Sequence, residues 1–124
     1  MAFASWTSPG LFGDGTADLA PLSHELAELF NDPFGASDGV HNVVPWWTSG
    51  QECADTNEVG DAIEGLSDST FPVRLNGRTY HLQNEALRPW FARESPSSAI
   101  DHGYSFPDEA ALPALSPPEN AMCR

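Results

Sequence analysis

The fold of this chain is decided by the stretch Phe71-Pro72-Val73-Arg74-Leu75-Asn76-Gly77-Arg78-Thr79-Tyr80-His81-Leu82. Its centre, Asn76-Gly77, supplies the two positive φ angles of a type I′ turn, and apolar residues alternate with polar ones on both sides. Pro72 has no N–H to donate to a ladder, so we expect that its strand lies at an edge or that its N–H side is unpaired. The sequence therefore predicts a β-hairpin over 71–82 in which the turn sets these pairs: Phe71 with Leu82, Val73 with Tyr80, and Arg74 with Thr79.

A helix is predicted on the N-terminal side of the hairpin, over about residues 18–31. Asp18 is suited to cap its N-terminus, and Pro21 is acceptable because the first turn makes no intrahelical N–H bond. The segment Asn31-Asp32-Pro33 is expected to end the helix. The apolar residues recur at steps of three and four and so share one face: Leu19, Leu22, Leu26 and Leu29.

A second helix is predicted over about residues 55–66. Asp55 followed by Glu58 resembles a capping box in which aspartate takes the place of serine or threonine. Gly60 weakens such a helix by about 1 kcal/mol relative to alanine. A shorter helix is expected around residues 89–93. The apolar stripe expected on the second helix is Val59, Ile63 and Leu66.

Together these elements predict a small α+β body with an irregular segment at each end. Residues 1–16 are expected to form an extended arm, residues 17–94 the body, and residues 95–124 an extended tail rich in proline and serine. The first residues lack the charged and apolar regions of a signal peptide, so we expect a location in a virion or in the host cytoplasm. The two cysteines, Cys53 and Cys123, allow one disulfide, but without a secretion signal we expect them to be reduced.

The charges are distributed unevenly along the chain. Twelve of the eighteen acidic residues precede Arg74, whereas all five basic residues are arginines at or after that position, and the net charge is −13. A field of this kind repels nucleic acid and anionic membranes and attracts basic surfaces. We therefore expect the partners to be other proteins, in an oligomeric or multi-copy complex, and expect no direct binding to nucleic acid or membrane.

Six acidic residues recur at three- or four-residue steps through the second predicted helix. One interpretation is a ladder of carboxylates that mimics backbone phosphates and inhibits a nucleic-acid-binding protein. The other, which we favour because solvated charge faces are the usual case, is the exposed side of an amphipathic helix. We expect this acidic band to bind no metal; its members are Glu52, Asp55, Glu58, Asp61, Glu64 and Asp68.

The segment His24-Glu25-Leu26-Ala27-Glu28 resembles the helical zinc-protease pattern, except that a glutamate replaces the second histidine. A histidine and a glutamate four residues apart could still share a metal on one helix face. The sequence shows no third ligand, so we expect no metal site here and no cofactor. It also shows no nucleophile elbow, and we expect the chain not to be an enzyme.

Aromatic residues in the two irregular segments are plausible anchors into pockets of another protein. The alternative is that these segments fold back over the chain's own small core. Because they lack a periodic apolar face, ordering on a partner is a reasonable mode for them. We therefore expect a structural component of a larger assembly, such as a minor capsid, decoration, head–tail or tail protein of a virus or phage; an acidic inhibitor of the anti-restriction or anti-CRISPR type is the alternative. The expected partner-binding aromatics are Phe3, Trp6, Phe12, Tyr104 and Phe106.

Overall fold

The computed structural model describes residues 19–33, 43–47, 53–67 and 69–112. Over these ranges the chain has mixed helix and strand content, as the sequence predicts. Three two-stranded antiparallel sheets are formed, by β1 with β2, β3 with β4, and β5 with β6. The elements, in chain order, are α1 (Ala20–Asn31), β1 (Trp46–Trp47), β2 (Cys53–Ala54), β3 (Thr70–Leu75), β4 (Arg78–Gln83), β5 (Glu85–Ala86), α2 (Arg88–Phe91), a 3₁₀ turn (Ile100–His102) and β6 (Ser105–Phe106).

The β3–β4 hairpin confirms the prediction in both its turn and its register. Asn76 and Gly77 have φ values of 51° and 76°, as a type I′ turn requires. One further pair, Thr70 with Gln83, extends the ladder toward the body. The predicted pairs are all present: Phe71 with Leu82, Val73 with Tyr80, and Arg74 with Thr79.

Helix α1 lies within the predicted range and ends where Asp32 follows it. The predicted cap, Asp18, is outside the described residues, and Leu19 occupies the N-cap position. The face that the leucines share is not fully buried, because Leu22 and Leu26 are 44% and 40% exposed. The inner face is instead largely polar, since it contacts β4 and a neighbouring turn through hydrogen bonds.

The predicted second helix over 55–66 is wrong. Residues 59–65 form consecutive turns, and the amide of Ile63 donates to the carbonyl of Gly60 rather than to that of Val59. The Val59 carbonyl accepts from Ala86 in β5, at 2.9 Å. Val59 and Ile63 are nevertheless buried, 1% and 0% exposed, whereas Leu66 is 41% exposed. A long-range backbone bond has therefore displaced the local helical one, while the two central apolar residues still reach the core.

The core is built around three aromatic rings that meet edge to face. The centroids of Trp46 and Trp90 are 5.7 Å apart, and each ring also contacts Phe91, at 5.5 and 4.9 Å. Such pairs contribute about 0.5–1.5 kcal/mol each beyond the burial of their area. The other buried members are Val59, Ile63, Ala86, Ala111 and Leu112.

The C-terminal tail that we expected from Ser95 is part of the folded body as far as Leu112. β6 pairs with β5, and the buried hydroxyl of Ser105 donates to the Asp108 carbonyl and accepts from the Leu112 amide. Leu112 itself is 9% exposed and belongs to the core. The segment gains this structure from contacts with β5 that its own sequence pattern does not indicate. Residues 1–18 and 113–124, which contain the rest of the predicted arm and tail, lie outside the described residues.

Cys53, at the start of β2, is disulfide-bonded, so the expectation that it is reduced is wrong. The only other cysteine in the sequence, Cys123, lies outside the described residues. Of the helices in the described ranges, none combines the length and the apolar character needed to cross a membrane.

Candidate metal centre

A histidine and two carboxylates from separate parts of the chain meet beside α1. The Nε2 atom of His24 lies 3.0 Å from Glu28 Oε1 and 3.3 Å from Asp61 Oδ1. The side chains of His24 and Glu28 are only 12% and 13% exposed, whereas that of Asp61 is 34% exposed. The cluster is therefore shielded on the helix side and accessible to solvent past Asp61.

The helix supplies two of these side chains because residues four apart lie on the same helical face. The third arrives through the turn at residues 59–65, which is held against the helix by Glu28. Its Oε1 atom accepts hydrogen bonds from the amides of Gly60 and Asp61, at 3.2 and 3.3 Å. Glu28 therefore both contacts His24 and positions the segment that carries Asp61.

The absence of a side chain at Gly60 makes the close approach of turn and helix possible. A Cβ atom at this position would lie 2.6 Å from His24 Nδ1 and 2.7 Å from its Cγ. Real Cβ contacts are essentially never that short, so any other residue would force the imidazole to move. The glycine that weakens the predicted helix is thus required by the packing of this site.

Gln83 holds the opposite edge of the imidazole. Its Oε1 atom lies 3.1 Å from His24 Nδ1, and its Nε2 donates to the Gly60 carbonyl at 2.7 Å. The backbone amide of Gln83 also donates to Ser23 Oγ, at 2.9 Å. The end of β4, the turn and α1 are therefore joined at the histidine.

The surrounding carboxylates strongly stabilise the protonated form of His24. Burial by itself lowers the pKa of this histidine, but hydrogen bonds to Asp61 and Glu28, together with the charge of Glu28, raise it to about 11. In the metal-free protein at neutral pH, the imidazole is therefore a cation and bridges the two carboxylates.

Two further acids close to this cluster have raised pKa values. Burial, with added repulsion from Glu28, Asp61 and Asp32, raises the pKa of Glu58 to about 7. Burial also raises the pKa of Glu85 to about 8, although the nearby His24 opposes the shift. The site thus holds more carboxylates than its single histidine can neutralise.

Asp32, directly after α1, is another buried acidic residue. The residue is 9% exposed, and neither carboxylate oxygen has a hydrogen-bond partner among the described residues. Both oxygens of Glu85 are likewise without one in the described ranges. Buried carboxylates without partners are costly, because desolvation is not offset by hydrogen bonds.

The donor atoms of His24, Glu25 and Glu28 all lie within 4.8 Å of one another, which is close enough for one metal ion. These three residues supply one nitrogen and two carboxylate groups, and Asp61 Oδ1 lies 3.3 Å from the His24 Nε2 atom. Zinc accepts this combination, with Zn–N and Zn–O distances near 2.0–2.2 Å. The His24-to-carboxylate separations of 3.0 and 3.3 Å are of the size expected between neighbouring ligands of one ion.

The predicted acidic band does not form a single surface. Glu58 and Asp61 are half-buried and face the histidine cluster, whereas Asp55 and Glu64 are exposed. The prediction of one solvated helical face is therefore wrong for the first two, because the segment is not a helix. Glu52 and Asp68 lie outside the described residues.

The predicted partner-binding aromatics differ in burial, and some lie outside the described residues. Tyr104 is half-buried against the core, and its hydroxyl donates to the Glu94 carbonyl at 2.9 Å. Phe106 is 56% exposed. The remaining three lie outside the described residues: Phe3, Trp6 and Phe12.

The sequence pattern pointed to His24 and Glu28, but it assigned Asp61, Glu58 and Gly60 to a separate helix and did not indicate Gln83. The available signal was the glycine itself, because Gly60 interrupts an otherwise favourable helical pattern. An isolated glycine of this kind often marks a close approach, although it does not say to which residue.

The chain matches no family model, and no curated protein or solved structure matches it either.

Proposed function

We propose that this protein binds a divalent metal ion through His24, Glu28 and Asp61 and uses it to hydrolyse a peptide or ester bond. The observation that carries the proposal is the convergence of both carboxylates on Nε2 of one buried histidine. This proposal differs from the sequence-based expectation of no metal and no enzyme, and it is supported by a third side chain, Asp61, 3.3 Å from His24 Nε2.

The charge balance of the site supports a cation. Glu28 and Asp61 contact His24, Glu58 lies against Glu28, and among the described residues no arginine is paired with any of these three acids. Protonated His24 and a protonated Glu58 relieve the repulsion in the metal-free protein. A divalent ion would replace those protons, because a metal-bound imidazole is neutral and the added positive charge favours the ionised form of Glu58.

The kind of ligand favours zinc over calcium or magnesium. Calcium and magnesium prefer sites made of oxygen alone, whereas an imidazole nitrogen suits zinc and related transition metals. Three protein ligands with an open side are typical of catalytic zinc, while structural zinc sites have four. The solvent access past Asp61 provides that open side.

Glu25 is the candidate general base. It follows His24 directly in the sequence, and its carboxylate lies within the same 4.8 Å cluster. A bound metal would supply Lewis acidity and lower the pKa of a water molecule. Glu25 would accept the proton of that water as its oxygen attacks the carbonyl carbon, and return it to the departing amine or alkoxide.

Calorimetry with zinc chloride tests the metal site directly. The native chain should bind one zinc per molecule with micromolar or tighter affinity, and Asp61→Asn should weaken it at least tenfold because a ligand charge is lost. Glu64→Gln, an exposed acid on the same segment, is the matched control and should bind as the native chain does. Failure of the native chain to bind stoichiometric zinc would leave the cluster a structural ion-pair network and refute the proposal.

Hydrolysis is tested separately from binding. The zinc-loaded chain should cleave a fluorescently labelled unfolded protein or an activated ester, and Glu25→Gln should reduce kcat by about 10²–10⁴-fold while the protein still binds zinc. A native chain that binds zinc but cleaves neither probe would reduce the proposal to metal binding alone.

The assembly role is kept as a second candidate because of one feature of α1. Leu22, Leu26 and Phe30 lie four residues apart on the helix and are 44%, 40% and 82% exposed. An apolar stripe of this kind, like exposed Phe106, is more typical of a contact surface than of free solvent. On this ground we propose a component of a virion or other assembly as the second candidate. The acidic mimic is a further proposal, which the exposure of Asp55 and Glu64 supports.

Sedimentation analysis tests the stripe. If it is a contact surface, the native chain should form a complex larger than a monomer, and the triple change of Leu22, Leu26 and Phe30 to serine should return it to a monomer without unfolding. A native chain that sediments as a monomer alone, and co-purifies with no partner, would contradict the assembly role.

A further inference from the structure

Gln83 occupies a buried position between the imidazole of His24 and the backbone of Gly60, and is 8% exposed. Its amide nitrogen lies 2.7 Å from the Gly60 carbonyl oxygen, which can only accept a hydrogen bond. The NH₂ group must therefore face Gly60, and the amide oxygen must face His24.

The orientation of this amide fixes the hydrogen on the histidine. Gln83 Oε1 can only accept, so His24 Nδ1, at 3.1 Å, must carry a hydrogen and donate it. The other nitrogen, Nε2, then faces Glu28 and Asp61. One side chain thus determines which imidazole nitrogen is directed at the acidic cluster.

We infer that Gln83 is a positioning residue that holds His24 with Nδ1–H directed at β4 and Nε2 directed at the metal position. This inference rests on the proposed function, since it assigns a role to Gln83 toward the same site. Metal-bound histidines almost always donate their second N–H to such a partner, and loss of the partner typically costs 10–100-fold in metal affinity.

Ser23 provides a matched control that separates a positioning role of Gln83 from a purely structural one. Ser23 Oγ accepts the backbone amide of Gln83 at 2.9 Å and donates to the Ala20 carbonyl, so it joins the same helix and strand without touching the imidazole. A purely structural role for Gln83 would be shared by Ser23, whereas a positioning role would not.

The experiment measures zinc affinity of the full chain by calorimetry, with zinc chloride as the probe, and thermal stability of each metal-free variant. Gln83→Leu should weaken zinc binding by about 10–100-fold, whereas Ser23→Ala should lower the melting temperature and leave the affinity within about twofold. Gln83→Met, which is close to glutamine in length but lacks the amide, should weaken zinc binding by the same factor, so the test does not depend on the leucine variant folding.

Equal zinc affinity in native and Gln83→Leu protein would overturn the inference and leave the metal site intact. Equal losses of affinity in the Gln83→Leu and Ser23→Ala proteins would also overturn it, by showing that stability at the helix–strand contact is responsible. Absence of zinc binding in the native chain would overturn both this inference and the proposed function.

Discussion

The hairpin and the turn segment at residues 55–66 carry equally regular sequence patterns, yet only the hairpin adopts the structure its pattern predicts. In the hairpin, the Asn76-Gly77 turn and the strand pairs are settled within fourteen residues. In the turn segment, the decisive contacts come from far away: Ala86 bonds the Val59 carbonyl, and Glu28 bonds the Gly60 amide. A local pattern therefore predicts structure reliably only where its backbone partners are also local.

The largest expected effect comes from the core of the turn segment. Ile63→Ala should destabilise the protein by about 3 kcal/mol, because Ile63 is fully buried and a cavity remains. Leu66→Ala should cost less than about 1 kcal/mol, since Leu66 is 41% exposed. Urea denaturation measures both values. Similar losses of stability at the two positions would mean that Ile63 and Leu66 are equally buried, as the predicted helical stripe requires. The contrast with the hairpin would then be wrong.

A smaller effect is expected at the hairpin turn. Gly77→Val should cost about 2 kcal/mol, because a β-branched residue resists a φ of 76°. No atom lies within 4 Å of the Cβ position, so steric collision does not contribute. Gly77→Asn, which tolerates positive φ, is the control and should cost less than about 1 kcal/mol. Equal unfolding free energies for valine and asparagine would show that the turn is not of the predicted type.

The two regions should also respond differently to pH. The groups with raised pKa values are His24, Glu58 and Glu85, and none lies in β3 or β4. A folded pKa above the unfolded one means that the folded state binds more protons, so stability falls as pH rises. For Glu58 this loss runs from about pH 4.5 to 7, for Glu85 from 4.5 to 8, and for His24 from 6.5 to 11.

Melting temperatures of the metal-free protein between pH 5 and 9 check this expectation. The melting temperature should decline steadily with rising pH, and Glu58→Gln should make the decline shallower between pH 5 and 7. A melting temperature that rises over this range would mean that the acids at the site are not held in their neutral forms.

The smallest expected effect separates the acids within the turn segment. Glu64→Gln should change the free energy of unfolding by less than about 0.5 kcal/mol, because Glu64 is exposed. Asp61→Asn should change it more, since Asp61 contacts His24 at 3.3 Å. Denaturation at neutral pH measures both. Equal changes in the free energy of unfolding would mean that Asp61 and Glu64 lie in the same environment, as the prediction of one solvated helical face implies.

The sequence alone predicts the elements whose hydrogen-bond partners lie close together along the chain. It predicted the hairpin register from Asn76-Gly77 and the extent of α1 from leucine spacing and Pro33. It does not predict that α1 packs against the body through a polar face, because the partners of that face are distant in the sequence. Asp61 follows Glu28 by 33 residues, and Gln83 follows His24 by 59. Nor could the sequence place residues 95–112 in the body, since Ser105 and Leu112 are held by contacts with one another and with β5.

The edge-to-face contact between Trp46 and Trp90 gives the protein a built-in optical signal. Two indoles 5.7 Å apart in a rigid core couple their transitions, so the near-ultraviolet circular dichroism should be intense. Trp46 also donates from its indole nitrogen to the Thr56 carbonyl at 3.0 Å, two residues before Glu58. Any rearrangement of that segment when a ligand arrives would therefore change the tryptophan spectrum, and occupancy could be followed without a label.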